Sequence, residues 1–242
     1  MESEERVAVA IVCAMEEESA PFLAELEAAA PIGLLPAHYQ GPATFFEGDL
    51  HGFRTVIATT GIGITNAAIA TTALVGALSP DLVLIAGTTG GLGQETQLNQ
   101  VMLATTVHYH DTDATAFGYE LGQVPRMPVH YKAHASAVDA LERAAKNAGI
   151  PIQRGAVASG NSFVMANRVR EVRERFPQAI AVDMETAAIA QVCWAFDCPW
   201  VSVRAVSDMC DGDEFSQRAP HAYRTSYAAV AAMLKSDSEL PL

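Results

Sequence analysis

The chain has 242 residues, half of them apolar, 18% charged and 7% aromatic, a composition of globular proteins rather than disordered, fibrous or repeat-built ones. Twenty-eight Asp and Glu against fifteen Lys and Arg leave a formal charge of −13 and a pI near 4.8, so the surface repels phosphate backbones and anionic lipid, and nucleic acid and membranes are poor partners. Apolar runs such as 81–87 and 201–206 fall far short of the ~20 residues that span a bilayer, so no transmembrane helix is expected.

The acidic start, Met-Glu-Ser-Glu-Glu-Arg, lacks the basic beginning and long apolar core of a secretory leader, which makes cytoplasmic residence the expectation. Cys13, Cys193, Cys198 and Cys210 form no C-x-x-C pair and stand at no zinc-like spacing from a His, so they read as buried thiols.

In chain order, residues 6–13 are short and rich in Val and Ile, as in a strand buried on both faces. Residues 15–29 place Met15, Phe22, Leu23 and Leu26 among carboxylates, a helical spacing with an acidic first turn; Pro21 is tolerable only near its start. Runs 44–49 and 53–60 form a hairpin across Leu50-His51-Gly52. Gly61-Ile62-Gly63 opens a small-residue helix over 64–78 that Ser79-Pro80 ends, and an apolar strand follows over 82–86.

A strand over 101–107 precedes a long irregular excursion, 109–133, of the kind that is usually functional or interfacial. An amphipathic helix covers 136–148 and closes at Gly149. Then come strand 153–157, helix 168–176, strand 179–182, helix 185–196, strand 201–206 and a C-terminal helix over about 222–234, with a loose tail over 236–242. Such alternation predicts a three-layer α/β/α sandwich with a central mixed, mostly parallel sheet. No composition break divides the chain, so residues 1–242 read as a single domain.

In open α/β sheets, ligands bind beyond the carboxyl ends of the strands. Four polar places follow apolar strands here: Glu16-Glu17-Glu18, Thr88-Thr89 within GTTGG, Met184-Glu185, and Ser207-Asp208. Carboxylates gathered around one pocket suit glycosyl-bond cleavage, in which one activates water, another protonates the leaving group, and a positive sugar-like transition state is stabilised.

The segments AMEEE (14–18), GIG (61–63), YHDTDATAFGYELGQVP (109–125), SGNSFV (159–164), FPQAIAVDMETAAIA (176–190) and VRAVSD (203–208) occur in the order seen in one family. From about residue 7 to 235 the chain resembles 5′-methylthioadenosine/S-adenosylhomocysteine nucleosidase, within the nucleoside phosphorylase superfamily. Members are homodimeric α/β enzymes that hydrolyse the bond between adenine and a 5′-thio-substituted ribose without cofactor or metal.

The resemblance implies roles for particular residues. Glu18 would activate water, with Arg204 and Thr88 holding it; Thr88 stands where Ser is commoner. Asp208, assisted by Ser207, would bind adenine and deliver a proton towards N7. Glu185 would accept the ribose hydroxyls, with Met184 and Met15 packing the sugar. Phe163 would stack on adenine and the backbone of Val164 would read its edge, while Phe117 and Pro125 would reach across from the second subunit to close the 5′-thio pocket. The chain departs from the family pattern at Asp183 (usually Glu), Thr89 (usually smaller) and Ile64 (often Lys), and its stretch 209–220 is shorter.

Other signals are weaker. His108 and His110, near Asp111 and Asp113, alternate on a strand-like run without a third ligand, which favours structural hydrogen bonding over a metal. The GIG turn lacks the third glycine of a dinucleotide fingerprint. Cys210 borders the expected pocket without a His to make it a nucleophile. Three consecutive glutamates after the first strand would repel phosphate, so water is the better nucleophile than in the sister phosphorylases. Three alternatives remain: another 5′-modified purine nucleoside such as aminofutalosine as substrate, phosphorolysis, or a non-catalytic nucleoside-binding or storage role.

Overall fold

A computed structural model of the chain describes residues 7–210, 215–236, 240 and 242. The acidic start 1–6 and most of the tail expected to be loose lie outside the described residues. The elements run β1 (Val9–Cys13), α1 (Glu16–Glu25), β2 (Glu27–Pro31), β3 (Thr44–Leu50), β4 (Phe53–Thr59), α2 (Ile64–Leu78), β5 (Leu82–Gly91), β6 (Val101–Tyr109) and β7 (Tyr131–Lys132). They continue with α3 (Ala135–Asn147), β8 (Ile152–Ser159), α4 (Ala166–Arg175), β9 (Ala179–Asp183), α5 (Thr186–Ala195), β10 (Trp200–Asp208) and α6 (Phe215–Ser236).

The strands make one mixed sheet with helices on both faces. Parallel pairings hold its centre: β4 to β1, β1 to β5, β5 to β10, β6 to β8 and β8 to β9. Antiparallel pairings add β3 and β2 at one edge and join β10 to β6 and β5 to β9. The last two turn an open sheet into a ring, β5–β10–β6–β8–β9, from which β1, β4, β3 and β2 extend.

Both faces of the central strands are covered, which is why they are apolar at successive positions. Val9, Ile11 and Cys13 of β1 pack with Phe22 of α1, Leu141 of α3 and Met233 of α6. Ala10 and Val12 pack on the other side with Leu74 of α2 and Ile189 of α5. Burying each large side chain of this kind contributes about 1.5–3 kcal/mol.

The structure differs from the sequence expectation at several element ends. Helix α1 stops at Glu25, and residues 27–31 form the exposed edge strand β2 instead of continuing the helix to 29. Pro21 sits inside α1, past its first turn, where it lacks the N–H for one rung of the helix ladder. The excursion 109–133 is interrupted by a 3-10 turn at Thr115–Phe117 and by β7. Helix α6 starts at Phe215, well before 222. Strands β5, β8 and β10 each run past their apolar stretches, to Gly91, Ser159 and Asp208. Thr88, Thr89, Ser207 and Asp208 therefore lie within strands, paired across β5 and β10 with a bulge at Ser207, rather than beyond their ends.

Candidate active site

The carboxyl ends of β1, β5, β9 and β10 surround a cavity of about 250 Å³. Of the residues singled out from sequence, Met15, Glu18, Thr88, Phe163, Val164, Met184, Glu185, Arg204, Ser207 and Asp208 all line it.

Glu18 reaches the cavity because α1 starts directly after β1. As the third helical residue it accepts the N–H of Met15 at 3.2 Å, and that of Ala14 at 2.9 Å, on Oε2, satisfying donors that a helix start leaves open. Its other oxygen, Oε1, accepts the backbone N–H of Thr88 at 2.8 Å and the Thr88 hydroxyl at 2.9 Å. The exchange of Ser for Thr at 88 thus keeps the hydroxyl in use. Gly87 makes this approach possible: its φ is +137°, and a Cβ there would stand 2.5 Å from the Glu18 carboxyl carbon. Behind it, the Cys13 thiol is pushed well above its ordinary pKa by burial and then by Glu18, so it stays neutral.

Arg204 of β10 is the one cation among the described lining residues. Its Nη1 donates to Thr88 C=O at 2.9 Å and lies 3.2 Å from Glu185 Oε2, while Nε lies 3.5 Å from Asp183 Oδ2. Burial works against its charge, but Asp183, Glu185 and Glu18 outweigh it and the guanidinium holds its proton more firmly than usual. Glu185 Oε1 accepts the N–H of Gly63 at 2.8 Å. Burial raises the Glu185 pKa to about 7, more than Arg204 and the Gly63 bond lower it.

Asp183 sits beneath this pair. It accepts the hydroxyl of Thr186, with the N–H of Thr186 at 3.1 Å and that of Glu185 at 3.3 Å, and so caps α5. The sequence reading noted Asp183 only as a departure, because its part depends on Arg204 arriving from β10. The GIG turn is the tight turn expected, with φ of +82° at Gly61 and +100° at Gly63, and it also delivers the Gly63 N–H to Glu185.

On the opposite wall, Ser207 Oγ donates to Asp208 Oδ2 at 2.8 Å and Cys210 N–H donates to Oδ1 at 2.9 Å. Cys210 lines the cavity, as do Ile62, Ser162 and Thr89, whose hydroxyl is turned away to Val182 C=O at 2.8 Å. Phe163 is half exposed and meets Phe215 edge-on, with ring centroids 5.7 Å apart. Phe215, whose closeness to the site the sequence left open, thus completes the wall from the start of α6. Phe117 and Pro125 do not reach this cavity; Phe117 is 82% exposed and Pro125 is exposed.

The four cysteines are free and buried, as read from the sequence. Of His108 and His110, the first meets the expectation of structural hydrogen bonding and the second departs from it. His108 lies 3.4 Å from Gln178 across Nε2, but His110 is buried with neither ring nitrogen hydrogen-bonded.

The family model described as Phosphorylase superfamily matches residues 8–235 of the chain. A 5′-methylthioadenosine/S-adenosylhomocysteine nucleosidase of Staphylococcus carnosus is 37% identical over 232 residues, which is 94% of this chain and 99% of that protein. The solved structure of the enzyme of that name from Neisseria meningitidis, in complex with methylthio-immucillin-A, is similar at a TM-score of 0.89 and 36% identity, covering 96% of this chain and 100% of the other. A futalosine hydrolase of Helicobacter pylori is similar at a TM-score of 0.86 and 27% identity, covering 96% and 99%.

Proposed function

The chain belongs to the phosphorylase superfamily, and from that premise we propose that it is an N-glycosyl hydrolase that cleaves 5′-methylthioadenosine and S-adenosylhomocysteine to adenine and the 5′-thioribose. The observation that carries this reading is the meeting of Glu18, Glu185 and Asp208, from three distant segments, in one cavity with Arg204 between the first two. The nearly full-length likeness to nucleosidases of that name supports the substrate.

In this reading adenine lies between Phe163 and Asp208, with the backbone of Val164 at its edge. Met15 and Met184 flank the sugar and Glu185 accepts its hydroxyls. The N9–C1′ bond breaks as Asp208 delivers a proton to N7, so adenine leaves neutral. Water held by Glu18, with Arg204 and Thr88 fixing the carboxylate, adds its oxygen to C1′ and gives its proton to Glu18. Exchange with solvent then takes the proton from Glu18 and returns one to Asp208, so that water and nucleoside become adenine and thioribose with no other reactant. The acidic walls stabilise positive charge growing on the sugar.

Phosphate fits the site poorly. Three carboxyl groups, Glu18, Asp183 and Glu185, already engage the one guanidinium, so a dianionic nucleophile finds no free cation among the described lining residues and meets net repulsion. The continuous sheet supports one domain over the chain. A homodimer, which the family resemblance implies, is supported by the loop: Phe117 is 82% exposed and serves best over a partner's cavity, and Trp194 and Phe196 at the α5 end are half exposed.

Product analysis by chromatography tests the activity, using methylthioadenosine, S-adenosylhomocysteine, an aminofutalosine-type nucleoside and inosine, each with and without phosphate. Free adenine and thioribose from the first two, independent of phosphate, is the expected result. Sugar 1-phosphate would make the protein a phosphorylase, turnover of the third substrate alone would reassign it to the futalosine type, and binding without turnover would leave a storage role.

A further inference from the structure

Ser226, in the middle of α6, is fully buried and does not line the cavity. Its Oγ accepts the N–H of Gly87 at 3.0 Å and donates to Val203 C=O at 2.6 Å. Those two groups face each other across the β5–β10 ladder. The N–H of Val83 bonds Pro199 C=O, and stepping two residues at a time along this parallel pair brings the N–H of Gly87 opposite Val203 C=O. A helix side chain thus takes both ends of one rung of the sheet.

The rung has a special place. Gly87 is where β5 adopts φ +137° to admit the Glu18 carboxylate. The next residue, Thr88, gives Glu18 two hydrogen bonds and gives its own C=O to Arg204, and Arg204 is the residue that follows Val203. The neighbour of Ser226, Tyr227, packs edge-on against Phe22 of α1 at 5.1 Å between ring centroids, one turn beyond Glu18 on the same helix. Adjacent residues of α6 therefore hold the strand that carries Thr88 and the helix that carries Glu18.

We propose that Ser226 is a positioning residue for the hydrolytic base: through Gly87 it sets where Thr88 stands, and hence how the Glu18 carboxylate is aimed at the attacking water. This rests on the reading of Glu18 as the base, and the test separates the two. Removing the hydroxyl withdraws the acceptor of one buried N–H and the donor to one buried C=O, on a strand that has no side chain at residue 87 to hold it.

The experiment compares Ser226→Ala with Ser226→Thr, which keeps the hydroxyl, and uses Ser226→Cys, similar in volume but a weak hydrogen bonder, should the alanine variant not accumulate folded. Hydrogen exchange of the Gly87 and Thr88 amides is read against Ile11 of β1, and kcat and KM are read with methylthioadenosine. The alanine variant is expected to exchange at Gly87 and Thr88 at least tenfold faster while Ile11 keeps its rate to within about threefold. Its kcat falls roughly tenfold with KM changed less than about twofold, since the base and not the substrate contacts is disturbed. The threonine variant restores both. Faster exchange that is uniform across the three amides, or wild-type kcat beside a lowered melting temperature, overturns the proposal and leaves Ser226 as ordinary packing. If the wild type releases no adenine, the hydrolase reading fails, and the exchange pattern alone then decides whether Ser226 positions Thr88 and Glu18.

Discussion

Glu18 and Asp208 are both buried carboxyl groups, but their surroundings prepare them for different tasks. Glu18 accepts four hydrogen bonds, two from its own helix start and two from Thr88, an arrangement that fixes its aim. Asp208 is held once on each oxygen, by Ser207 and by the N–H of Cys210. Asp208→Asn is expected to lower kcat by about 10²–10⁴ while the melting curve stays close to wild type, because shape is kept and the transferable proton is lost; retained turnover would remove Asp208 from the mechanism. Glu18→Gln should lose hydrolysis to a similar degree yet still bind a non-hydrolysable analogue, as calorimetry would show.

Glu185 makes a prediction about pH. Its pKa is raised to about 7 by burial, so the fold holds this proton more tightly than the unfolded chain does. That contribution to stability is complete below the ordinary carboxylate range and is lost as pH climbs through about 7. The ribose hydroxyls need the ionised form, so KM should rise as pH falls below about 7. In Glu185→Gln that slope should vanish and KM should be high throughout. Scanning fluorimetry at pH 5 and pH 8 checks the stability side: the Gln variant should gain on the wild type at pH 8 relative to pH 5, and the opposite ordering would mean that the Arg204 pairing dominates.

At the scale of elements, the sequence and the structure agree best where one physical signal acts alone. Helix α2 occupies 64–78 as read from its glycine turn and its Ser-Pro stop, and the hairpin of β3 and β4 follows from alternation around Leu50-His51-Gly52. They part where an apolar run ends before the element does. β5 continues through Gly87-Thr88-Thr89-Gly90-Gly91 because β10 and β9 supply partners for its backbone, and no local pattern announces partners so far away in the chain. Helix α1 ends early for the same kind of reason, since residues 27–31 find a strand, β3, to pair with.

Gly87 joins this scale to the site. Gly87→Ala would carry a Cβ into the Glu18 carboxyl at 2.5 Å and hold an L-residue at φ +137°. Backbone strain alone costs about 1–3 kcal/mol, and the displaced carboxylate should take kcat down by at least about tenfold. Thermal melting and kcat together test this; a variant with lower stability and full activity would show that Glu18 can be aimed from elsewhere.

For the whole molecule, closing the sheet into a ring is what brings the ends of β5, β9 and β10 around one space, with β1 adding Glu18 from the strand beside β5. The loop bearing Phe117 and Pro125 lies outside that space, and the proposed homodimer gives it a task. Sedimentation should find twice the chain's mass of 25.7 kDa, and Phe117→Ala should raise KM for methylthioadenosine by roughly tenfold while the dimer persists. A monomer with full activity would refute the shared pocket.

The sequence by itself determined the order of the helices and of the strands other than β2 and β7, the burial of both strand faces and the residue types of the site, because apolar periodicity, glycine turns and helix stops act over a few neighbours. Glu18, Glu185 and Asp208 were legible individually, as acids at the ends of apolar runs, and Arg204 only through the family resemblance. Only the tertiary structure decided that Asp183 underlies Arg204, that the Gly63 N–H serves Glu185, that Gly87 clears space for Glu18 and that Ser226 holds Gly87. Each of these contacts joins segments distant in the chain, and their energies depend on distances of about 3 Å that exist only once the sheet has closed.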